Sequence, residues 1–255
     1  APPAARRRRS GLRGLLGHLV FADLPDRGLL FVQSALRGTQ SRLGRAADLP
    51  LRRLAVELRD GVPAHLRTVV VIPTLLTTPA TIEELIESLE VHHLSNPAGA
   101  IHFALLSDWT DAPAESMPED AGLLATAVEG IARLNRRYPG EHGVDRFFLL
   151  HRRRGWNEAQ GAWIGWERKR GKLHELNHLL RGSAGTTFVA APGASRALPA
   201  DVRYVVTLDS DTRLPRDAIV RLVGKMAHPL NRPRFDVARG RVVEGYGVLQ
   251  PRVTP

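Results

Sequence analysis

The sequence predicts an α/β protein, with a mostly parallel, Rossmann-like sheet flanked by helices. Three observations predict it. Short apolar runs recur at Thr68–Ile72, Ile101–Leu106, Phe147–Leu150 and Tyr204–Leu208. Stretches with apolar residues at i, i+3, i+4 and i+7 separate them, which is the βαβ pattern. Several of the runs end in polar or acidic residues, where ligands bind in such sheets.

The first 64 residues are predicted to be a basic, irregular and partly helical extension. Residues 1–10 are Pro, Ala and Arg apart from Ser10, and read as linker. Leu51, Leu54, Val56 and Leu58 have spacing for a short helix ending near Gly61. From residue 65 to 255 a nucleotide-binding α/β domain is expected. Its first strand, Thr68–Ile72, is expected to stop at Pro73. A helix then opens near Thr78–Thr81, with Thr81 and Glu84 at capping-box spacing and Ile82, Leu85, Ile86 and Leu89 as its apolar stripe. Ile101–Leu106 forms the second strand and runs into Ser107 and Asp108. Leu124, Ala127, Val128, Ile131 and Leu134 mark a helix that ends before Pro139. Phe147–Leu150 is the third strand, followed by a long polar loop containing Trp156, Trp163 and Trp166. Leu173, Leu176, Leu179 and Leu180 form the next stripe, closed by Gly182. Tyr204–Leu208 enters Asp209-Ser210-Asp211. A helix with Ile219, Leu222, Val223 and Met226 follows Pro215, and Val248 and Leu249 belong to a last short strand.

The composition limits the function classes. There is no Cys, which excludes disulfides and thiolate metal sites. No apolar run is long enough to span a bilayer. Arg6–Arg9 has the charge of a signal-peptide start, but no clean apolar segment or cleavage site follows. The formal net charge is +10, of which residues 1–60 carry +7 through 12 Arg against 5 acidic residues. That imbalance fits a bias toward Arg, Ala, Gly and Pro, or contact with an anionic membrane or phosphate-rich partner. The chain begins with Ala and ends at Pro255, and is expected to be a piece of a longer polypeptide.

The chemistry concentrates at the strand exits. Asp209 and Asp211, one residue apart after an apolar strand, suit a hard divalent cation that also grips phosphate oxygens. The alternative is that they cap the following turn. Asp108 could accept hydrogen bonds from a nucleoside or merely shape a turn. Lys172, expected in the first turn of a helix after Gly171, suits an anion at that helix end, with Asn177 further along. The competing reading is a solvated basic surface, Arg168–Lys172. His92 and His93 read as surface residues and His228 as structural. The three tryptophans suit either a sugar or base platform, or the core. No zinc-protease, nucleophile-elbow or Walker-type motif occurs.

Six stretches together are similar to the glycosyltransferase domain of cyclic β-1,2-glucan synthases. They are Val69-Val70-Val71-Ile72-Pro73-Thr74, His102–Asp108, Trp166–Leu173, Thr207–Pro215, Gly224–Pro233 and Glu244–Arg252. The resemblance implies a GT-A fold, UDP-glucose as donor, and inverting transfer that builds β-1,2-glucan. It implies Mg²⁺ or Mn²⁺ on Asp209 and Asp211, with the donor held by Thr74, Asp108, Lys172, Asn177, Asp209, Gln250 and Arg252. It further implies the cytoplasmic face of a bacterial inner membrane, within a larger polypeptide bearing transmembrane helices and other domains. The catalytic base is expected beyond Pro255, with Glu244 and Asp236 as in-chain alternatives. Nucleic acid is not an expected partner. Competing readings are a GT-A transferase of other donor or linkage, a non-catalytic basic module binding nucleic acid or anionic membrane, and a fragment that does not fold alone.

Overall fold

A computed structural model describes residues 30–33, 55–140, 143–189, 198–199 and 201–249. Its centre is a seven-stranded sheet. In chain order, β1 is Leu30–Gln33, β2 Thr68–Leu76, β3 Ile101–Trp109 and β4 Phe147–Arg152. They are followed by β7 (Phe188–Val189), β8 (Tyr204–Thr207) and β11 (Val248–Leu249). The spatial order is β11-β1-β8-β2-β3-β4-β7. All neighbours are parallel except β4 and β7. Two antiparallel hairpins stand outside it: β5 (Gly155–Asn157) with β6 (Ala162–Ile164), and β9 (Arg234–Asp236) with β10 (Arg241–Glu244). The predicted class, a mostly parallel sheet flanked by helices, is the one observed.

Side-chain alternation along the strands creates two cores. Val70, Ile72, Phe103, Leu105, Phe147, Leu149 and Val206 face one way. Against them pack helices α1 (Pro79–Ser95), α2 (Asp120–Arg137) and α4 (Ala218–Ala227). Val69, Val71, Ala104, Leu106, Phe148 and Val205 face the other way, and Leu173 and Leu176 of α3 (Arg168–Leu180) cover them. Because β2, β3, β4 and β8 are buried on both faces over most of their length, the runs are continuously apolar rather than alternating.

Several local expectations are corrected. β2 does not stop at Pro73 but continues to Leu76. Its pairing with β8 ends at Val71, opposite Thr207, whereas its pairing with β3 continues to Leu76. Pro73 therefore lies where one side of β2 is already unpaired, and its missing N–H leaves no ladder bond unmade. The cap of α1 is Thr78 rather than Thr81: the Thr78 hydroxyl accepts the Thr81 amide at 3.1 Å, and Pro79 fills the first helical position.

The short helix expected to end near Gly61 is absent over residues 55–60, and residues 51–54 lie outside the described residues. Val56 instead donates its amide to the Gly224 carbonyl at 2.9 Å, and Leu58 packs on the core. A Cβ on Gly224 would sit 2.3 Å from the Val56 carbonyl oxygen, so this contact requires glycine. Val62 bridges to Gly99, and β1 lies within the sheet, so the leading segment joins the fold at these points.

His92 and His93 are buried, at 1% and 6% exposure, rather than on the surface. The stripe of α1 was read as ending at Leu89, yet its helical spacing continues through both histidines. His93 meets Phe103, Tyr138 and Phe147 edge-on, with ring centroids 5.0–5.8 Å apart. Burial and the nearby Arg146 lower its pKa to about 4.

Candidate active site

In sequence order the strands progress from β2 to β3 to β4 in one direction, while β8 lies on the other side of β2. The connection reverses between β2 and β8, and ligands bind at such switch points, beyond the carboxyl ends of the strands. A cleft of about 420 Å³ opens there. Its walls come from Pro73 to Leu75, beyond the part of β2 that pairs with β8, from Asp108 and Trp109 ending β3, and from Ser210 after β8. Gly165, Arg168, Lys169 and Lys172 close it from the start of α3.

The floor is an ion network on the α3 face. Asp108 and Arg152 occupy the same face as Leu106 and Phe148 by alternation, which aims both toward α3. The Arg152 guanidinium grips Asp108 through two bonds, Nε to Oδ1 at 2.7 Å and Nη2 to Oδ2 at 2.9 Å. Its Nη1 reaches Glu175 at 2.7 Å. Glu175 in turn accepts the amide and hydroxyl of Thr187 beside β7. Lys172 completes the set, with Nζ 3.2 Å from Asp108 Oδ2 and donating to the Thr74 carbonyl. These side chains are almost fully buried. Burial lowers the Lys172 pKa, against the opposing pull of Asp108. Burial also acts to lower that of Arg152, but Asp108 and Glu175 outweigh it and raise the pKa. Two charged groups of each sign, mutually bonded, make this burial tolerable.

Lys172 was expected in the first turn of its helix. The helix begins at Arg168, so Lys172 lies in the second turn and gains nothing from the orphan amides of the helix end. Gly171, read as preceding the helix, is inside it. A Cβ there would lie 1.9 Å from the Trp166 carbonyl oxygen, so the turn into α3 needs glycine at that point. Glu167 and Arg168 both adopt left-handed backbone, with φ of 50° and 48°. Arg152 Nη2 donates to the carbonyls of Trp166 and Arg168, at 3.1 and 3.2 Å, and so braces this strained turn.

Asp209 does not line the cleft; it is half-buried, and its carboxylate is paired with the cleft-lining Lys169. Asp211 is exposed on the following turn, where the Thr212 amide bonds the Asp209 carbonyl at 2.9 Å. Of the remaining candidates, Thr74 lines the cleft. Asn177 is buried on α3 with its Oδ1 unpartnered, and does not line it. Asp236 and Glu244 belong to the β9–β10 hairpin and are held by Arg239 and Arg234. Gln250 and Arg252 lie outside the described residues.

Asp209 and Asp211 carry the carboxylate oxygens that a divalent ion would take. No cluster of three or more His, Asp or Glu positioned for a metal exists among the described residues. A pair of carboxylates whose remaining partners are water and diphosphate oxygens is the habit of Mg²⁺. Asp209 already holds one cation, the Lys169 ammonium.

Arg152 was not singled out in the sequence. His151 Nδ1 lies 2.9 Å from the buried Ser107 hydroxyl, and the ring meets Trp109 edge-on at 4.2 Å. His151 Nε2 has no partner. Burial lowers the His151 pKa to about 4, although Asp108 and Asp120 act to raise it.

His93 and His151 therefore predict acid lability. Both pKa values are depressed on folding from 6.5 to about 4. Above about pH 6.5 neither form binds a proton and nothing is lost. Between 6.5 and 4 the unfolded chain binds protons that the folded chain does not, so stability falls with pH. The expected slope is at most about 1.4 kcal/mol per pH unit for each histidine. Urea midpoints measured from pH 7.5 to 4.5 in wild type and in His151→Gln check this. An unchanged slope in the variant would remove His151 from the account.

The comparison with known proteins adds the decisive observation. Over 230 residues, 89% of this chain, the sequence is 50% identical to the cyclic beta-(1,2)-glucan synthase NdvB of Rhizobium meliloti (strain 1021). The chain is homologous to a segment of that synthase. It spans 8% of the synthase's length. No family model matches the chain. Among the described residues, no helix is long and apolar enough to cross a membrane.

Proposed function

We propose that this chain is the sugar-nucleotide-binding part of a GT-A glycosyltransferase domain that builds β-1,2-glucan from UDP-glucose. The supporting observation is the cleft at the β2/β8 switch point, lined by Asp108, Lys169, Lys172 and Ser210 with Asp209 paired to Lys169, in a chain half identical to a glucan synthase segment.

In this reading Asp108, fixed in orientation by Arg152, offers its remaining lone pairs to the nucleoside. Thr74 and the Lys172 ammonium stand beside it, and Lys172 adds positive charge near the phosphates. Lys169 leaves Asp209 and turns toward the diphosphate as the donor enters. A Mg²⁺ or Mn²⁺ ion on Asp209 and Asp211 would neutralise the diphosphate and stabilise UDP as it departs. Attack by the acceptor 2-hydroxyl from the face opposite the phosphate inverts the anomeric centre, and a carboxylate base takes its proton. The two carboxylates lining the cleft, Asp108 and Asp111, are each held by cations, Asp111 by Arg168 at 2.7 Å. Neither is assigned as base. The parent enzyme is placed at the cytoplasmic face of the inner membrane, with its remaining domains and the growing glucan as partners.

Calorimetric titration with UDP tests the reading. Binding in the presence of Mn²⁺ is expected to be at least about tenfold tighter than in chelator, and Asp211→Asn is expected to erase that difference. UDP binding that ignores both Mn²⁺ and the substitution would overturn the metal-diphosphate assignment.

A further inference from the structure

The loop expected after β4 contains the β5–β6 hairpin, and this hairpin presents an aromatic surface the donor cleft does not use. Trp156 and Trp163 are cross-strand partners, with ring centroids 5.9 Å apart and planes at 61°. Trp163 is half-buried, whereas Trp156 remains 55% exposed. Trp166, the other exposed indole, is accounted for differently. It packs edge-on against His174 at 5.8 Å, and its ring would meet a Cβ on Gly171 at 2.8 Å, so it seals the start of α3. Among the described residues, Trp156 has only Trp163 as an aromatic neighbour.

The hairpin is joined to the cleft at three points. Trp163 exchanges backbone hydrogen bonds with Ala112, at 2.9 and 3.0 Å, and the preceding residue, Asp111, lines the cleft. β6 ends at the buried Ile164, and the next residue, Gly165, is cleft wall. The Gln160 side chain in the hairpin turn accepts from Arg168, 3.4 Å away, which also lines the cleft. The Trp156 ring is thereby carried on a hairpin whose other strand and turn reach the cleft residues Asp111, Gly165 and Arg168.

We propose that Trp156, backed by Trp163, is a stacking subsite for a pyranose ring of the acceptor glucan. A glucopyranose chair carries its substituents equatorially, so its two faces present only C–H bonds. Those faces match the electron-rich face of an indole, and the ring hydroxyls at the edge meet the polar rim. Holding the acceptor here positions a chain end to enter the cleft where the donor sits. The proposal rests on the reading of the cleft as a sugar-nucleotide site, and it adds the place where the acceptor is gripped.

The test is titration of the chain with a linear β-1,2-linked glucooligosaccharide, followed by tryptophan emission and by saturation-transfer NMR. Wild type is expected to show saturable binding with transfer to ring C–H protons. Trp156→Ala is expected to weaken it about tenfold, and Trp156→Phe to restore it to within about threefold. Removing an exposed ring leaves both cores intact, and a thermal melt checks this. Absence of saturable binding to wild type, or equal binding by Trp156→Ala, would overturn the proposal. UDP with Mn²⁺ is titrated into the same samples. Nucleotide binding without oligosaccharide binding would sink the stacking subsite alone, and oligosaccharide binding without nucleotide binding would sink the donor-site reading. Loss of nucleotide binding in Trp156→Ala, with glucan binding kept, would make the ring a base platform and overturn the proposal.

Discussion

Replacing Arg152 with Leu is expected to destabilise the fold by about 3–5 kcal/mol. The guanidinium is fully buried and bonds Asp108 twice, Glu175 once and the carbonyls of Trp166 and Arg168. A leucine would leave two buried carboxylates facing one lysine and release the left-handed turn at Glu167 and Arg168. The loss is a large share of the roughly 5–15 kcal/mol that holds a typical domain. It should appear as a lower urea midpoint at pH 7.5. Arg152→Lys keeps the charge but cannot reproduce the two-pronged grip on Asp108, so it should fall between the two. An unchanged midpoint in Arg152→Leu would show that the network adds nothing to stability.

Asp209→Asn is expected to lower Mn²⁺ affinity, measured in the presence of UDP, by at least about tenfold. The complementary variant acts in the opposite direction. Lys169 occupies the Asp209 carboxylate, so an arriving metal must displace an ammonium. Lys169→Met removes that competitor and is expected to tighten binding of Mn²⁺ alone by about two- to fivefold, the range for a partly exposed ion pair. Electron paramagnetic resonance of free Mn²⁺ reads both without any turnover. Weaker Mn²⁺ binding in Lys169→Met would mean that the lysine assists the ion rather than competing with it.

The sheet was legible because its strands are buried on both faces, which makes each a compact apolar run. The short elements were not. β7 has two residues, and the β9–β10 hairpin is rich in arginine with two half-buried valines in its second strand, so neither carries a periodic signal. Pro73 seemed a terminator because the sequence does not reveal that β8 stops pairing at Thr207. His92 and His93 looked like surface residues because histidine is polar, yet the apolar spacing of α1 continues through them.

Of the residues expected to hold donor or metal, Thr74, Asp108 and Lys172 line one cleft, whereas Asn177 does not, and between Asp209 and Asp211 only Ser210 contributes to its wall. The position of Lys172 was misjudged because Gly171 was taken as a boundary, whereas its missing Cβ serves a close approach inside the helix. Arg152 had a signal that could have been used. Four charged or titratable residues, His151 to Arg154, follow an apolar strand, and continuing the β3–β4 register beyond Ser107–His151 sets Asp108 against Arg152.

The placement of β8 has a consequence for biosynthesis. β2, α1, β3, α2 and β4 follow one another in the chain, so each can dock on its predecessor as it leaves the ribosome. The strand that completes the other side of the cleft is translated much later. Until it emerges, the nascent polypeptide has the lysine and aspartate floor's first components but no Asp209, and β2 keeps an open flank. On the proposed reading, the donor would bind only after this late strand has docked, which would make the cleft a reporter of completed assembly.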